Sequence, residues 1–238
     1  MSDVRFRSDV TVSVVKCSAA DSDVLFAARV STAGEQSLAQ IGTDAQRSAG
    51  LINYLMRDRH GSPFEHNSFT FFVSAPIFVF REFMRHRTFS YNEESGRYRR
   101  LEPVFYLPGP DRKLVQEGKP GRYVFVDGTP GQHKVVARAT RDVCTVAYRA
   151  YLEMLEAGVA REVARGVLPV SIYSSMYATC NARALMHFLS LRTKREDSAF
   201  PSFPQREIEM VAEKMEEAFA TAMPLTHAAF NSNGRVAP

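Results

Sequence analysis

The sequence predicts a mixed fold of the α/β or α+β class: one domain whose small, mostly antiparallel sheet is packed by helices. Three observations lead there. The chain has 238 residues, 45% apolar and 24% charged, enough to bury a sizeable core in one large domain over residues 1–238. Segments with a period of two, as in strands, are interspersed with segments at helical spacing. No regular strand–helix–strand rhythm, internal repeat or low-complexity stretch accompanies them, so a doubly wound parallel sheet is not implied.

The elements follow in order. Thr11-Val12-Ser13-Val14-Val15 alternates and is β-branched, predicting a strand. Asp21 or Ser22 is a good N-cap for a helix to about Val30. A second helix is predicted from Asp44 behind Thr43 to Arg59, with Leu51, Ile52, Leu55 and Met56 as its stripe, stopped by Gly61 and Pro63. Ser68–Val73 reads as a strand with Phe69, Phe71 and Val73 on one face. Pro76 suits the first position of a helix running to about Arg87, followed by a polar loop.

Residues 103–131 are rich in proline and glycine and read as a loop excursion, with Tyr123–Val126 as a short strand. A long helix is expected from Gln132 to Ala157, with Val136, Val143, Ala147, Ala150 and Met154 at core spacing and Gly158 as its stop. Val159–Val167 reads as a helix, Val170–Thr179 as a strand, and Asn181 as the cap of a helix over 182–191. Residues 193–204 form a polar loop, Glu207–Met223 an amphipathic helix, and the tail after Pro224 carries little signal.

Composition excludes several classes. No stretch approaches the ~20 apolar residues of a membrane span, and the N-terminus lacks an apolar targeting segment, so a cytoplasmic protein with no membrane partner is expected. Cys17, Cys144 and Cys180 are odd in number and widely spaced, which favours inert core thiols in a reducing compartment. There is no GxGxxG turn, Walker loop, HExxH or GxSxG. His60, Glu65 and His66 match no common zinc spacing, so no metal site is expected.

The densest chemistry lies between residues 81 and 100, which hold six arginines, one histidine, three acids and two serines. Guanidinium forks suit phosphates and electron-rich heterocycle oxygens. Arginines at a helix end could merely complement its dipole. That alone does not explain Asn92, Glu93, Ser95 and Arg97 following directly, so a site for a phosphorylated anion is favoured. For Arg161, Arg165, Arg183 and Arg192 a solvated helix face is the ordinary expectation, although Arg192 extends the apolar side of Leu185 and Phe188. The alternative class is a nucleic-acid-binding module, with Phe89, Tyr91 and Tyr98 stacking on bases among the cations. The net charge of +4 and the acidic Glu93 and Glu94 weigh against a dedicated nucleic acid partner.

Arg85-His86-Arg87, seven residues and then Ser95 resembles the RHR-x7-S signature of the flavin-dependent thymidylate synthases. His60-Gly61-Ser62-Pro63-Phe64-Glu65-His66 is similar to that family's upstream segment. Arg165-Gly166-Val167-Leu168-Pro169 and the stretch from Asn181-Ala182-Arg183 to Leu191-Arg192 are similar to its two later motifs. The resemblance implies conversion of deoxyuridine monophosphate to thymidine monophosphate. Methylenetetrahydrofolate would give the carbon, and NADPH would reduce a bound FAD. Ser62, Arg85, His86, Arg87, Glu93, Asn181, Ala182, Arg183 and His187 would contact FAD. The nucleotide would meet Glu82, Phe83, Met84, Arg85, Glu93, Glu94, Ser95, Gly96, Arg97, Arg165 and Arg192. Arg192 is the implied catalytic cation, held at the uracil edge. Family members are homotetramers with shared sites. No use of the segments at 110–133 and 193–206 is implied.

Overall fold

The computed structural model describes residues 4–40, 45–119 and 122–238. Its chain divides into two compact units, the first drawn from residues 1–10, 74–82 and 93–176, the second from 11–73, 83–92 and 177–238. The architecture is mixed, with helices and small, mostly antiparallel sheets, as the sequence predicts. Among the described residues no helix is long and apolar enough to cross a membrane.

In the first unit, β1 (Arg5–Arg7) pairs in parallel with β5 (Val104–Tyr106), Phe6 opposite Phe105. The long helix α4 (Pro130–Glu156) starts at a reciprocal cap. The Gln132 N–H donates to Thr129 Oγ1 (3.2 Å), and the Thr129 N–H donates to Gln132 Oε1 (2.8 Å). The helix stops where Gly158 takes φ +81, as expected. Its core stripe is Cys144, Tyr148 and Tyr151, packed with Leu101, Phe105, Ala164 and Ile172. The Tyr148 hydroxyl donates to the Leu101 carbonyl (3.0 Å), and the Tyr151 hydroxyl accepts from the Leu101 N–H (3.3 Å). Val143 was expected in that stripe, but it is 60% exposed, beside Val135 at 55% and Val146 at 62%. The excursion holds a hairpin, β6 (Val115–Lys119) antiparallel to β7 (Arg122–Val126). After α4 come α5 (Arg161–Ala164) and a 3-10 turn over Arg165–Val167, in place of one continuous helix to Val167.

The second unit holds α1 (Asp21–Ala33), α2 (Ala45–Arg57), α6 (Ala182–Arg192), α7 (Arg206–Ala222) and α8 (Pro224–Ser232). It also holds β2 (Thr11–Ser18). A four-stranded sheet runs in the order β2, β3 (Ser68–Pro76), β8 (Tyr173–Cys180), β4 (Ser90–Glu93). On β3 Phe69, Phe71 and Val73 are buried, as their alternation predicts, and Phe69 meets Phe219 of α7 edge-on.

Several expectations change. Pro76 ends β3, and α3 (Ile77–Phe83) stops short of the expected Arg87. Tertiary packing decides this, because Phe83 stacks on Phe188 of α6 and meets Phe89 and Tyr91 edge-on. The residues from Ser90 to Glu93 are a strand, not part of a loop. Strand β8 starts at Tyr173, three residues later than expected. The proposed N-cap Asp21 does not cap its own helix. Ala20 stands there, its N–H donating to the Asp23 carboxylate (2.8 Å). Asp21 instead accepts from the N–H groups of Leu225 and Thr226 (2.9 Å each), capping α8, a helix in the tail that had carried little signal. The expected start of α2 at Thr43 and Asp44 lies outside the described residues. Its end is turned by Arg59 at φ +64, not by Gly61. Cys144 and Cys180 are buried, but Cys17 is exposed, because the β2 residues around it face solvent.

Candidate functional site

The RHR segment is a pinned turn. The His86 N–H donates to the Phe83 carbonyl (3.0 Å) and the Phe89 N–H to the His86 carbonyl (3.2 Å). The Tyr91 hydroxyl lies 2.7 Å from the Phe83 carbonyl and 2.9 Å from that of His86. Burial, with a smaller push from Cys180, raises the Tyr91 pKa, so this hydroxyl stays a donor. The turn exposes Met84, Arg85 and Arg87 and buries His86 between them. Among the described residues neither arginine makes an ion pair.

From the first turn position that the sequence marked, α6 is well set. The Asn181 side chain accepts from the Ala184 N–H (2.9 Å), and the Ala182 N–H donates to Asn67 Oδ1 (2.7 Å). Ala182 is buried, while His187 is exposed. At the far end of α6, Arg192 Nε donates to His86 Nε2 (3.1 Å). Arg192 is therefore bound to a motif residue, and the solvated-face expectation fails for it. Burial first, then the positive Arg192 and the neighbouring His187, lower the His86 pKa to about 4. The imidazole is neutral at physiological pH, and its Nε2 is an acceptor.

Arg183 also departs from a plain solvated role. Its Nη1 pairs with Glu65 (2.6 Å) and its Nε donates to the Pro238 carbonyl (2.6 Å). A Cβ at Gly61 would lie 2.5 Å from the guanidinium carbon of Arg183, so position 61 must be glycine for this approach. Ser62, next in the 3-10 turn Ser62–Glu65, is exposed beside it.

A second cluster lies in the first unit. Ser95 opens a turn, with its hydroxyl accepting from the Arg97 N–H (3.3 Å) and its carbonyl from the Tyr98 N–H (3.0 Å). A Cβ on buried Gly96 would meet Arg165 Cδ at 3.3 Å, so the Ser95–Arg97 turn lies against Arg165. Arg165 is exposed. Arg97 pairs with Glu162 (3.0 Å) and Arg99 with Glu94 (3.1 Å). Glu93 is half-buried, and burial raises its pKa. The Ser174 hydroxyl and Arg165 oppose that rise, while Glu94 adds to it. Glu82, on α3, is partly buried.

The structure thus brings together His86 with Arg192, Arg183 with Gly61 and Glu65, and Ser95–Arg97 with Arg165 and Glu93. Sequence reasoning missed the parts played by Tyr91, Asn67, Glu65 and Glu162. Only Tyr91 had a usable signal, because a tyrosine alternating into a buried strand face needs a hydroxyl partner. A flavin nucleotide fits what is present: two exposed arginines that make no ion pair among the described residues, and a glycine-lined approach to a third.

Together these features define a mixed α/β protein with arginine-rich clusters and no buried thiol poised as a nucleophile, since burial raises the pKa of Cys144 and Cys180. The profile of a family described as "Thymidylate synthase complementing protein" matches residues 13–225. The flavin-dependent thymidylate synthase of Streptomyces avermitilis is 74% identical over 234 residues, covering 98% of this chain and 95% of that protein. That of Tropheryma whipplei is 57% identical over 233 residues, covering 98% and 97%. A solved UMP/dUMP methylase, PolB from Streptomyces cacaoi bound with 5-Br dUMP, superposes with a TM-score of 0.94 at 58% identity, covering 99% of this chain and 100% of that one. The chain belongs to the flavin-dependent thymidylate synthase family.

Proposed function

We infer that this protein is a methyltransferase that makes thymidine monophosphate from deoxyuridine monophosphate, using FAD and a methylenetetrahydrofolate carbon. The observation that carries this is identity of 74% to a flavin-dependent thymidylate synthase along 98% of the chain. NADPH is the proposed reductant, and the cytoplasm the proposed compartment. When bound, the flavin supplies the hydride, chemistry that side chains cannot perform.

The residues of this chain bind and polarise. Arg85, His86, Arg87, Ser62, Asn181, Ala182, Arg183 and His187 are proposed to hold FAD, with Glu93 reaching it as well. Ser95, Gly96, Arg97 and Arg165 are proposed to hold the nucleotide phosphate, beside Glu82, Phe83, Met84, Arg85, Glu93 and Glu94. Carbon 5 of uracil is a weak nucleophile until its ring gains electron density. A cation at the N3–O2 edge stabilises the ring anion and so activates that carbon. Arg192 is proposed as that cation, and no cysteine nucleophile is needed. Residues 1–238 are proposed to act as one domain, supported by a single family profile that matches residues 13–225.

The exposed valines of α4 support assembly into a homotetramer, because an apolar helix stripe left in water is costly and a second copy would cover it. The nucleic-acid reading is not favoured, since the net charge is only +4 and the acidic Glu93 and Glu94 stand among the cations.

The test is the visible spectrum of the purified protein, followed by deoxyuridine monophosphate-dependent oxidation of its reduced flavin, with UMP run in parallel. Protein that takes up no FAD would sink the reading. Arg192→Ala should keep its flavin absorbance while thymidylate formation falls by about 10²–10³-fold, the scale of losing one oxyanion donor. Near-normal turnover would remove Arg192 from its role.

A further inference from the structure

We propose that the segment after α8 is a strap that positions Arg183 for the flavin, with Pro238 as the positioning residue that holds its guanidinium. The proposal rests on the reading that Arg183 contacts FAD. Its geometric basis is the 2.6 Å hydrogen bond from Arg183 Nε to the Pro238 main-chain oxygen, beside the 2.6 Å pair of Arg183 Nη1 with Glu65. Every residue involved belongs to the second unit. The strap also lies past residue 225, where the match to the family profile stops.

The strap is tied down along its length. At the end of α8 the chain reverses through Gly234 at φ +71 and Arg235 at φ +56. Their N–H groups donate to the carbonyls of Asn231 (3.2 Å) and Phe230 (2.9 Å). Arg235 fastens this turn from inside. It is 4% exposed, its guanidinium lies 4.8 Å from the centre of the Phe230 ring, and it donates to Glu216 and Thr193. Two residues on, the Ala237 carbonyl accepts from Arg59 Nη1 (2.8 Å), and Pro238 beyond it is buried. Arg59 is the residue at φ +64 that turns the end of α2, so the tether leaves from a fixed corner.

A guanidinium is planar, and hydrogen bonds at Nε and at Nη1 fix that plane from two edges. The Gly61 backbone closes one face, since a Cβ there would lie 2.5 Å from the guanidinium carbon. Without the strap, Glu65 would hold one nitrogen of a side chain that is 41% exposed. The two contacts engage two of the five N–H donors of the group, so a phosphate oxygen of the flavin nucleotide still meets an oriented cation. Ordering a long side chain before the ligand arrives removes that entropic cost from binding. The strap therefore acts on how tightly FAD is held, and leaves the chemical step alone.

The experiment compares the holoenzyme with Arg59→Asn, Arg59→Lys, a deletion of residues 236–238 and Arg183→Ala. Asparagine accepts the left-handed backbone but is too short to reach Ala237, whereas lysine keeps both reach and a donor. The first readout is FAD loss on dilution, followed by the rise in flavin fluorescence. Affinity should fall about 10-fold in the deletion and in Arg59→Asn, the scale of one hydrogen bond to a charged group, and recover in Arg59→Lys. The second readout is steady-state kinetics. Raising FAD should restore kcat in both strap variants, with the KM for deoxyuridine monophosphate unchanged throughout. General damage to the fold would instead lower kcat at saturating FAD. Should the deleted protein fail to fold, the Asn and Lys pair decides the matter. Wild-type retention of FAD in either strap variant, or equal losses in Arg59→Asn and Arg59→Lys, overturns the proposal. Tighter retention in the deletion overturns it too, because the strap would then compete with the flavin. If Arg183→Ala also keeps FAD like wild type, the reading of Arg183 itself has failed.

Discussion

Replacing Glu216 by glutamine should destabilise the protein by about 3 kcal/mol at neutral pH, and most of the difference should disappear in acid. Glu216 lies on α7 with its side chain 10% exposed, and three side chains converge on its carboxylate. Arg235 Nη1 is at 2.6 Å, Arg195 Nη2 at 3.2 Å and His227 Nε2 at 3.0 Å. Burial alone would raise the carboxyl pKa, but His227, Arg235 and Arg195 together outweigh it and bring it down to about 2. Against an ordinary value near 4.5 that depression corresponds to about 3 kcal/mol of stability. The same scale, about 3–5 kcal/mol, is expected for breaking a buried pair and leaving one charge alone. Arg235 would be that charge, with only 4% of its surface exposed. Because the folded pKa is depressed, the stabilisation is complete above the unfolded value of about 4.5 and drains away as pH falls toward 2. Urea unfolding of the holoenzyme at pH 7 and at pH 3 measures it. Wild type should lose stability between the two, and Glu216→Gln should lose much less. A variant within about 0.5 kcal/mol of wild type at pH 7, or one with an unchanged acid slope, would refute the reasoning. A side effect is expected as well. Arg235 Nη2 also donates to Thr193 Oγ1 (2.9 Å), the residue after Arg192, so a slackened network should lower kcat too.

Gly61→Ala places a methyl 2.5 Å from the Arg183 guanidinium carbon, so that side chain must move. The flavin-to-protein ratio after gel filtration should fall, and an unchanged ratio would detach Arg183 from FAD. Glu93→Gln should raise the melting temperature at pH 8 while weakening nucleotide binding. Burial raises the folded pKa of Glu93, so its ionised form costs stability above that pKa, a cost that shrinks as pH falls. Melting curves at pH 8 and pH 5, with titration of deoxyuridine monophosphate, check both halves. Val143→Glu with Val146→Glu, both on the exposed side of α4, should shift the protein to a smaller species in light scattering without lowering the helical signal. Persistence of the wild-type mass would place the subunit contact elsewhere.

Much of the fold was legible because local rules were obeyed. The alternation of Phe69, Phe71 and Val73, the Asn181 cap and the Gly158 stop each acted through near neighbours in sequence. The end of α3 was not legible, since Phe188, more than a hundred residues on, takes Phe83 and turns the chain before Arg87. The α4 valines have the spacing of a core stripe, and periodicity cannot say whether an apolar face meets its own chain or another. At the site, residue types were readable from motifs, but pairings were not. Nothing in the spacing of His86 and Arg192 shows that one holds the other.

The cap on α8 bears on how the chain folds. A nine-residue helix is too short to persist alone in water. Its first N–H groups find their acceptor in Asp21, 204 residues upstream. Closing so long a loop is entropically slow, and contacts of this separation form late. During synthesis Asp21 of α1 emerges 204 residues before Leu225, so its carboxylate waits for its partners until α8 is made. Helix α8 is therefore set by α1, and a lesion at Asp21 should register as slow maturation of α8 before it registers anywhere nearby.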